Sequence, residues 1–229
     1  MSAAFRLFVV VLSLALLAGE PARAGQVAVE RGADGRRDLI ITGEIAASDQ
    51  CHAARILVER PDIRRIVVNS PGGDAWAGTR LARVIAWSGL PVAVPRGAKA
   101  YSAAAVAVMG GAARELEGDV GFHAPFLVDR KIAAGPAPLS PTPLGLAALP
   151  RYSPNAHPLL AEVTAQTRAV LRDGGMPAAM IERSMAAGPT DLWKPGNATL
   201  RQWASSQKPD RPALERLART CESVAGSLR

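Results

Sequence analysis

Apolar and polar positions follow two rhythms along this chain, and from Asp38 onward the two rhythms alternate. Leu39-Ile40-Ile41-Thr42-Gly43 is a short apolar run with the length and β-branched content of a buried strand. Ser48 is placed to cap a helix from Asp49 to about Arg60, and Pro61-Asp62 ends it. Arg65 to Asn69 repeats the strand signal. Between Asp74 and Ser88 the residues Ala77, Leu81, Val84, Ile85 and Ser88 fall at i, i+4, i+7, i+8 and i+11, one face of a helix. Val92-Ala93-Val94 reads as a third strand, Ser102 to about Met109 as an apolar helix, and Glu115-Leu116 and Val120 to His123 as short extended pieces. Strands separated by helices need right-handed βαβ crossovers. They predict an α/β domain with a largely parallel sheet covered on both faces.

The pattern changes after residue 132. From Ala133 to Pro158 there are seven prolines (Pro136, Pro138, Pro141, Pro143, Pro150, Pro154 and Pro158), with Pro125 just upstream. Missing N–H groups and fixed φ angles leave no room for regular structure, so about 133–158 is expected as a surface loop of one domain. Helical periodicity resumes over Leu159–Leu171, Pro177–Met185, Thr199–Ser205 and Pro212–Ser227. The helix over 74–88 carries a second stripe of Trp76, Arg80, Arg83 and Trp87. It marks either a subunit contact or cover for neighbouring loops.

The first 24 residues follow a different logic. A basic start (Met1–Arg6), an apolar run from Leu7 to Ala18 and the small-x-small triplet Ala22-Arg23-Ala24 are the parts of a secretory signal cleaved before Gly25. The apolar run spans roughly 18 Å as a helix, short of a hydrocarbon core of about 30 Å. A mature chain over 25–229 is expected outside the cytoplasm, periplasmic or secreted, with no membrane span after cleavage. The whole chain has net charge +7, and removing Arg6, Arg23 and Glu20 leaves +6. That excess is scattered in pairs such as Arg36-Arg37 and Arg64-Arg65, and aromatics are few, so no nucleic acid is expected as a partner. Cys51 and Cys221 are the only cysteines. In an oxidising compartment they predict one disulfide closing a loop of about 170 residues, worth up to roughly 5 kcal/mol in the chain-entropy picture. Two free buried thiols are the alternative.

Candidate chemistry narrows quickly, because only His52, His123 and His157 can supply an imidazole base. His123 ends a short strand, a position where a rigid element can carry a catalytic group. Ser102 opens an apolar helix, where unpaired N–H groups favour developing negative charge; it also suits an ordinary N-cap. Gly72-Gly73 lies between a strand and a helix and is expected as a turn whose N–H groups face a cleft. Two such donors at an oxyanion are worth roughly 3 kcal/mol each. The orienting acid stays open among Asp129, Glu162, Asp173, Glu182, Asp191 and Asp210. No metal site is expected, since no His, Asp or Glu pair has ligand spacing.

Taken together, Leu39–Gly43 with Glu44-Ile45, Asn69-Ser70-Pro71-Gly72-Gly73, Ser102 before an Ala-rich helix ending in Gly110-Gly111, and Gly121-Phe122-His123-Ala124-Pro125 resemble the ClpP/crotonase superfamily. Over residues 38 to about 206 the chain is most similar to ClpP-like exported bacterial proteins. The resemblance implies a spiral of βαβ units with extra C-terminal helices. It implies Ser102 as nucleophile, His123 as base, and Asp191, in Pro189-Thr190-Asp191-Leu192-Trp193, as orienting acid. It places the oxyanion donors at Gly72, Gly73 and Ala103. Where the family has Gly-x-Ala-Ala-Ser, this chain has Gly97-Ala98-Lys99-Ala100-Tyr101-Ser102, one residue longer and with Tyr101 beside the serine. The implied function is a serine hydrolase acting on peptides or another acyl substrate, a homo-oligomer without cofactor or ATPase partner. A non-catalytic ClpP-like binding protein is the first alternative, and a crotonase-type acyl-thioester enzyme the second.

Overall fold

The strand–helix alternation builds a seven-stranded sheet. In this computed structural model residues 25–32, 35–126, 158–188, 190–203 and 205–227 are described. The expected leader (1–24) and nearly all of the Pro-rich stretch lie outside them. The strands are β1 (Gln26–Arg31), β2 (Arg37–Ile45), β3 (Ile63–Gly73), β4 (Val92–Val94), β5 (Lys99–Tyr101), β6 (Arg114–Leu116) and β7 (Asp119–Gly121). Three helices fall between them: α1 (Asp49–Glu59), α2 (Ala75–Ser88) and α3 (Ala103–Val108). Four more follow: α4 (Pro158–Asp173), α5 (Ala178–Ala186), α6 (Asn197–Gln202) and α7 (Arg211–Ser227). Every strand pairing is parallel except β1 with β2. That antiparallel edge strand was not expected. Its apolar run Val27-Ala28-Val29 is as short as that of β4, and Val27 and Val29 are only partly buried against the core.

The sheet forks at β3. Its first half pairs with β4 (Ile66↔Val92, Val67↔Ala93), and its second half pairs with β5 (Ser70↔Ala100). β7 then continues from β5 (Ala100↔Val120, Tyr101↔Gly121). The expected turn at Gly72-Gly73 is instead the end of β3, still in register with β2 at Glu44↔Gly72 and Ile45↔Gly73 after a register shift. Pro71 removes a ladder donor, and the glycines take φ of 105° and 148°, so the strand bends without leaving the sheet.

Helix ends show how local chemistry was used. Asp74 caps α2 by accepting from the Ala77 N–H at 2.7 Å. Ser48, the expected cap of α1, makes no capping bond and has helical φ/ψ. Asp49 instead turns its carboxylate back to the Ala46 N–H, 2.9 Å away. α2 and α3 cross closely: a Cβ on Gly78 would come within 2.7 Å of the Ala103 carbonyl oxygen. The Trp76/Arg80/Arg83/Trp87 stripe is used within the protein. Arg80 lies over the Trp76 ring, Arg83 donates to Gln166 of α4, and Trp87 packs against the core. Cys51 and Cys221 form the expected disulfide, joining α1 to α7. Among the described residues no helix is long and apolar enough to cross a membrane.

Arg114 joins the C-terminal helices to this sheet. It is 8% exposed. Its Nη1 donates to the Trp203 carbonyl (2.5 Å) and Nη2 to those of Met109 (2.9 Å) and Gly174 (2.6 Å). These carbonyls close the C-terminal ends of α6, α3 and α4, where helices leave unpaired acceptors and partial negative charge. Burial pushes the guanidinium pKa down to about 10, so it is still charged at neutral pH. Arg114→Met keeps much of the bulk but strands these buried acceptors. It is expected to cost about 3 kcal/mol in urea unfolding, and a loss under ~1 kcal/mol would contradict this role.

Candidate active site

Ser102 stands between β5 and α3 with a backbone unlike an ordinary cap. Its φ is 55° and ψ −122°, and it is the one non-glycine residue with positive φ among the described residues. That region is close to glycine-only, and holding a serine there costs of order 1–3 kcal/mol. The hydroxyl makes no capping bond to its helix. Two contacts hold the geometry: the Ser102 N–H donates to the Gly121 carbonyl (2.9 Å), and the Val106 N–H donates to the Ser102 carbonyl (3.1 Å). A strand-to-helix corner strained in this way turns its side chain outward, the posture a serine nucleophile requires.

Gly72 is pressed against this corner. A Cβ there would meet Ser102 Cβ and the Tyr101 carbonyl at 2.7 Å, and the Ala103 nitrogen at 3.3 Å. The end of β3 and the start of α3 therefore touch, bringing Gly72, next to Gly73 in the chain, against Ser102 and Ala103. The Gly72 N–H is already donated to the buried Ser70 Oγ at 3.1 Å. Of the three expected oxyanion donors, Gly73 and Ala103 are thus the two without that prior engagement. Sequence reasoning missed Ser70; its place in the Asn-Ser-Pro-Gly-Gly run was the available signal.

The β7 strand carries the chain from Gly121, bonded to Ser102, through Phe122 to His123. The imidazole is half-buried, with Nδ1 2.7 Å from the Ala124 carbonyl oxygen. A carbonyl only accepts, so Nδ1 carries the proton and Nε2 is left as the free basic nitrogen. Burial holds the His123 pKa below its ordinary 6.5, with the Ala124 bond opposing in part. Phe126 lies beside the ring at 5.5 Å between centroids. The segment bearing Asp191 runs alongside: Phe122 and Trp193 exchange two backbone hydrogen bonds (2.9 and 2.8 Å). Asp191 itself is exposed and has no side-chain hydrogen bond among the described residues. It precedes Trp193 by two residues on that segment, and the imidazole's hydrogen-bond partner is Ala124.

Tyr101 turns away from the serine onto the surface. Its hydroxyl donates to Asp119 (3.0 Å), and the Lys194 ammonium bridges to Asp119 (2.7 Å) while lying 5.0 Å from the Tyr101 ring. The Asp119 bond raises the Lys194 pKa, the reverse of what a neutral lysine base needs. His52 is exposed on α1, and His157 lies outside the described residues. No cluster of metal-ligating side chains occurs among the described residues.

Solved structures share this architecture. One is the 1510-N membrane-bound stomatin-specific protease as a serine-to-alanine mutant: TM-score 0.51, 18% identity, 78% of this chain and 81% of that one. A lysine-to-alanine mutant of that protease in complex with a substrate peptide aligns at TM-score 0.50 and 19% identity, over 72% of this chain and 71% of that one. At such identities the likeness speaks to the fold, which is a ClpP-like α/β fold. No protein-family model matches the sequence, and neither does any curated protein.

Strain at Ser102 has a measurable consequence. Ser102→Gly removes the φ penalty and is expected to raise unfolding free energy by about 1 kcal/mol, after the extra chain entropy of glycine is subtracted. Ser102→Ala keeps the penalty and should leave it within about 0.5 kcal/mol of wild type. Equal stability of the glycine and alanine variants in urea titrations would remove the strain argument.

Proposed function

We propose that the protein is an exported ClpP-like serine hydrolase acting on peptides. Ser102 is its nucleophile, His123 its general base, and the N–H groups of Gly73 and Ala103 its oxyanion donors. The observation that carries this reading is the strained backbone of Ser102, held against Gly72 at a strand-to-helix corner. A serine serving only as a helix cap would not require φ 55° and would use its hydroxyl on the helix.

In this reading Ser102 Oγ attacks the peptide carbonyl carbon while His123 Nε2 takes the hydroxyl proton. The carbonyl oxygen, now negative, receives the two N–H groups, and the imidazolium returns its proton to the leaving amine. Water repeats the sequence on the acyl-enzyme, releasing the acid and restoring the serine. The Ala124 carbonyl sets the imidazole tautomer. Asp191 is then a secondary group, supplying negative charge from the neighbouring segment instead of fixing the ring. Gly72 contributes clearance, because any side chain there would strike Ser102.

A fluorophosphonate probe tests the assignment. Wild-type protein should be labelled and Ser102→Ala should not; no labelling of wild type, or equal labelling of both, would falsify the hydrolase reading. His123→Ala should slow labelling about 10²–10⁴-fold. Asp191→Asn should slow it about tenfold or less, because the Ala124 carbonyl already holds the tautomer.

The pH profile follows from the buried imidazole. A base must be neutral, and burial lowers the pKa of His123. The labelling rate should therefore decline on acidification with a midpoint below the ordinary 6.5. A midpoint above it would assign the base elsewhere.

A further inference from the structure

Asp49 is the most conspicuous side chain that the site does not use. It is 1% exposed, at the first turn of α1. Oδ2 accepts from the Ala46 N–H, but Oδ1 is buried without a hydrogen-bond partner. No lysine, arginine or histidine pairs with it among the described residues. A buried carboxylate half satisfied in this way is costly unless a cation reaches it.

The backbone of Gly25 lies against that carboxylate. A Cβ built on Gly25 would fall 2.5 Å from Asp49 Oδ2, 3.2 Å from its Cγ and 2.4 Å from the Glu44 carbonyl oxygen. Two acceptors thus close around one residue, and only a residue without a side chain fits between them. Ala22-Arg23-Ala24 immediately precedes it.

We propose that cleavage before Gly25 frees an α-ammonium group that docks into this acceptor pocket, forming a buried ion pair with Asp49 and a hydrogen bond to the Glu44 carbonyl. The step is hydrolysis of the Ala24–Gly25 peptide bond by a peptidase of the export route. One water is consumed, and the amide becomes a carboxylate on Ala24 and an ammonium on Gly25. The inference rests on the export reading and is independent of any catalysis at Ser102. Its consequence reaches the site nonetheless. Glu44 and Ile45 pair in register with Gly72 and Gly73, and the Ile45 carbonyl accepts from the Asp74 N–H at 2.9 Å. A docked N-terminus therefore clamps the corner on which the end of β3 rests, so processing and ordering of that corner become one event.

The test uses full-length protein secreted to the periplasm and purified from it, with intact mass recorded first. A mass corresponding to a chain that begins at Gly25 is expected, and any other N-terminus overturns the proposal. Three variants are then compared with wild type: Asp49→Asn, a Ser-Gly insertion between Ala24 and Gly25, and the two combined. The insertion changes no side chain of the folded domain but moves the ammonium two residues away. Each single change should lower the melting temperature by about 6–12 °C, and the combination should lower it no further than the larger single loss. Amide hydrogen exchange over 44–49 and 72–74 should quicken in the insertion variant. An insertion variant that melts within about 1 °C of wild type overturns the proposal, even if Asp49→Asn is destabilised. So do losses that simply add.

Discussion

One guanidinium closes this fold. Arg114 opens β6, a strand of three residues, yet its side chain reaches the C-terminal ends of α3, α4 and α6 at once. Each helix ends with carbonyls that have no partner of their own, and burying three such ends together without a donor would be prohibitive. The planar fork of an arginine supplies several donors in one plane and a positive charge where three helix dipoles converge. Because α3 follows Ser102 directly, the same contact anchors the far end of the helix that the proposed nucleophile begins. The C-terminal helices are thereby locked to the sheet through a polar hub as well as through apolar packing.

The second constraint is the fork in the sheet at β3. A parallel strand ordinarily keeps the same neighbours along its length; this one exchanges β4 for β5 midway, where Ser70-Pro71-Gly72-Gly73 breaks the regular ladder. The exchange lets Gly72 approach Ser102 to within contact distance and brings β7, with His123 beyond it, to the same edge. Site geometry here follows from a defect in sheet regularity. The positive φ angles at Gly72, Gly73 and Ser102 are its local record.

Much of this was legible from residue order. The apolar periodicity of 74–88 marked α2 correctly because that helix buries Ala77, Leu81, Val84 and Ile85 on one face. Leu39 to Gly43 marked β2 for the same reason, though the strand runs from Arg37 to Ile45. β1 and β5 were not legible: the first is a partly exposed edge, and the second has three residues of mixed character. The Ser48 cap failed because the buried Asp49 carboxylate turned back to the Ala46 N–H, a competition no local rule weighs. Ser70 escaped notice because its role, holding the Gly72 N–H, exists only once the strand bends.

By itself the sequence determined the α/β class of fold, most of its strands and helices, the expectation that its two cysteines pair, and which serine, histidine and glycines deserved attention. Those are local or compositional matters, written in periodicity, in turn chemistry and in the scarcity of histidine and cysteine. Only the tertiary structure decided that Ser102 is held at φ 55°, that the tautomer of His123 is set by Ala124, and that Arg114 gathers three helix ends. It also decided that Asp49 is buried with Oδ1 unpartnered while its other oxygen lies beside Gly25. Each of these depends on the partner a polar group finds after burial, and that partner lies far away in sequence or emerges only when the backbone bends.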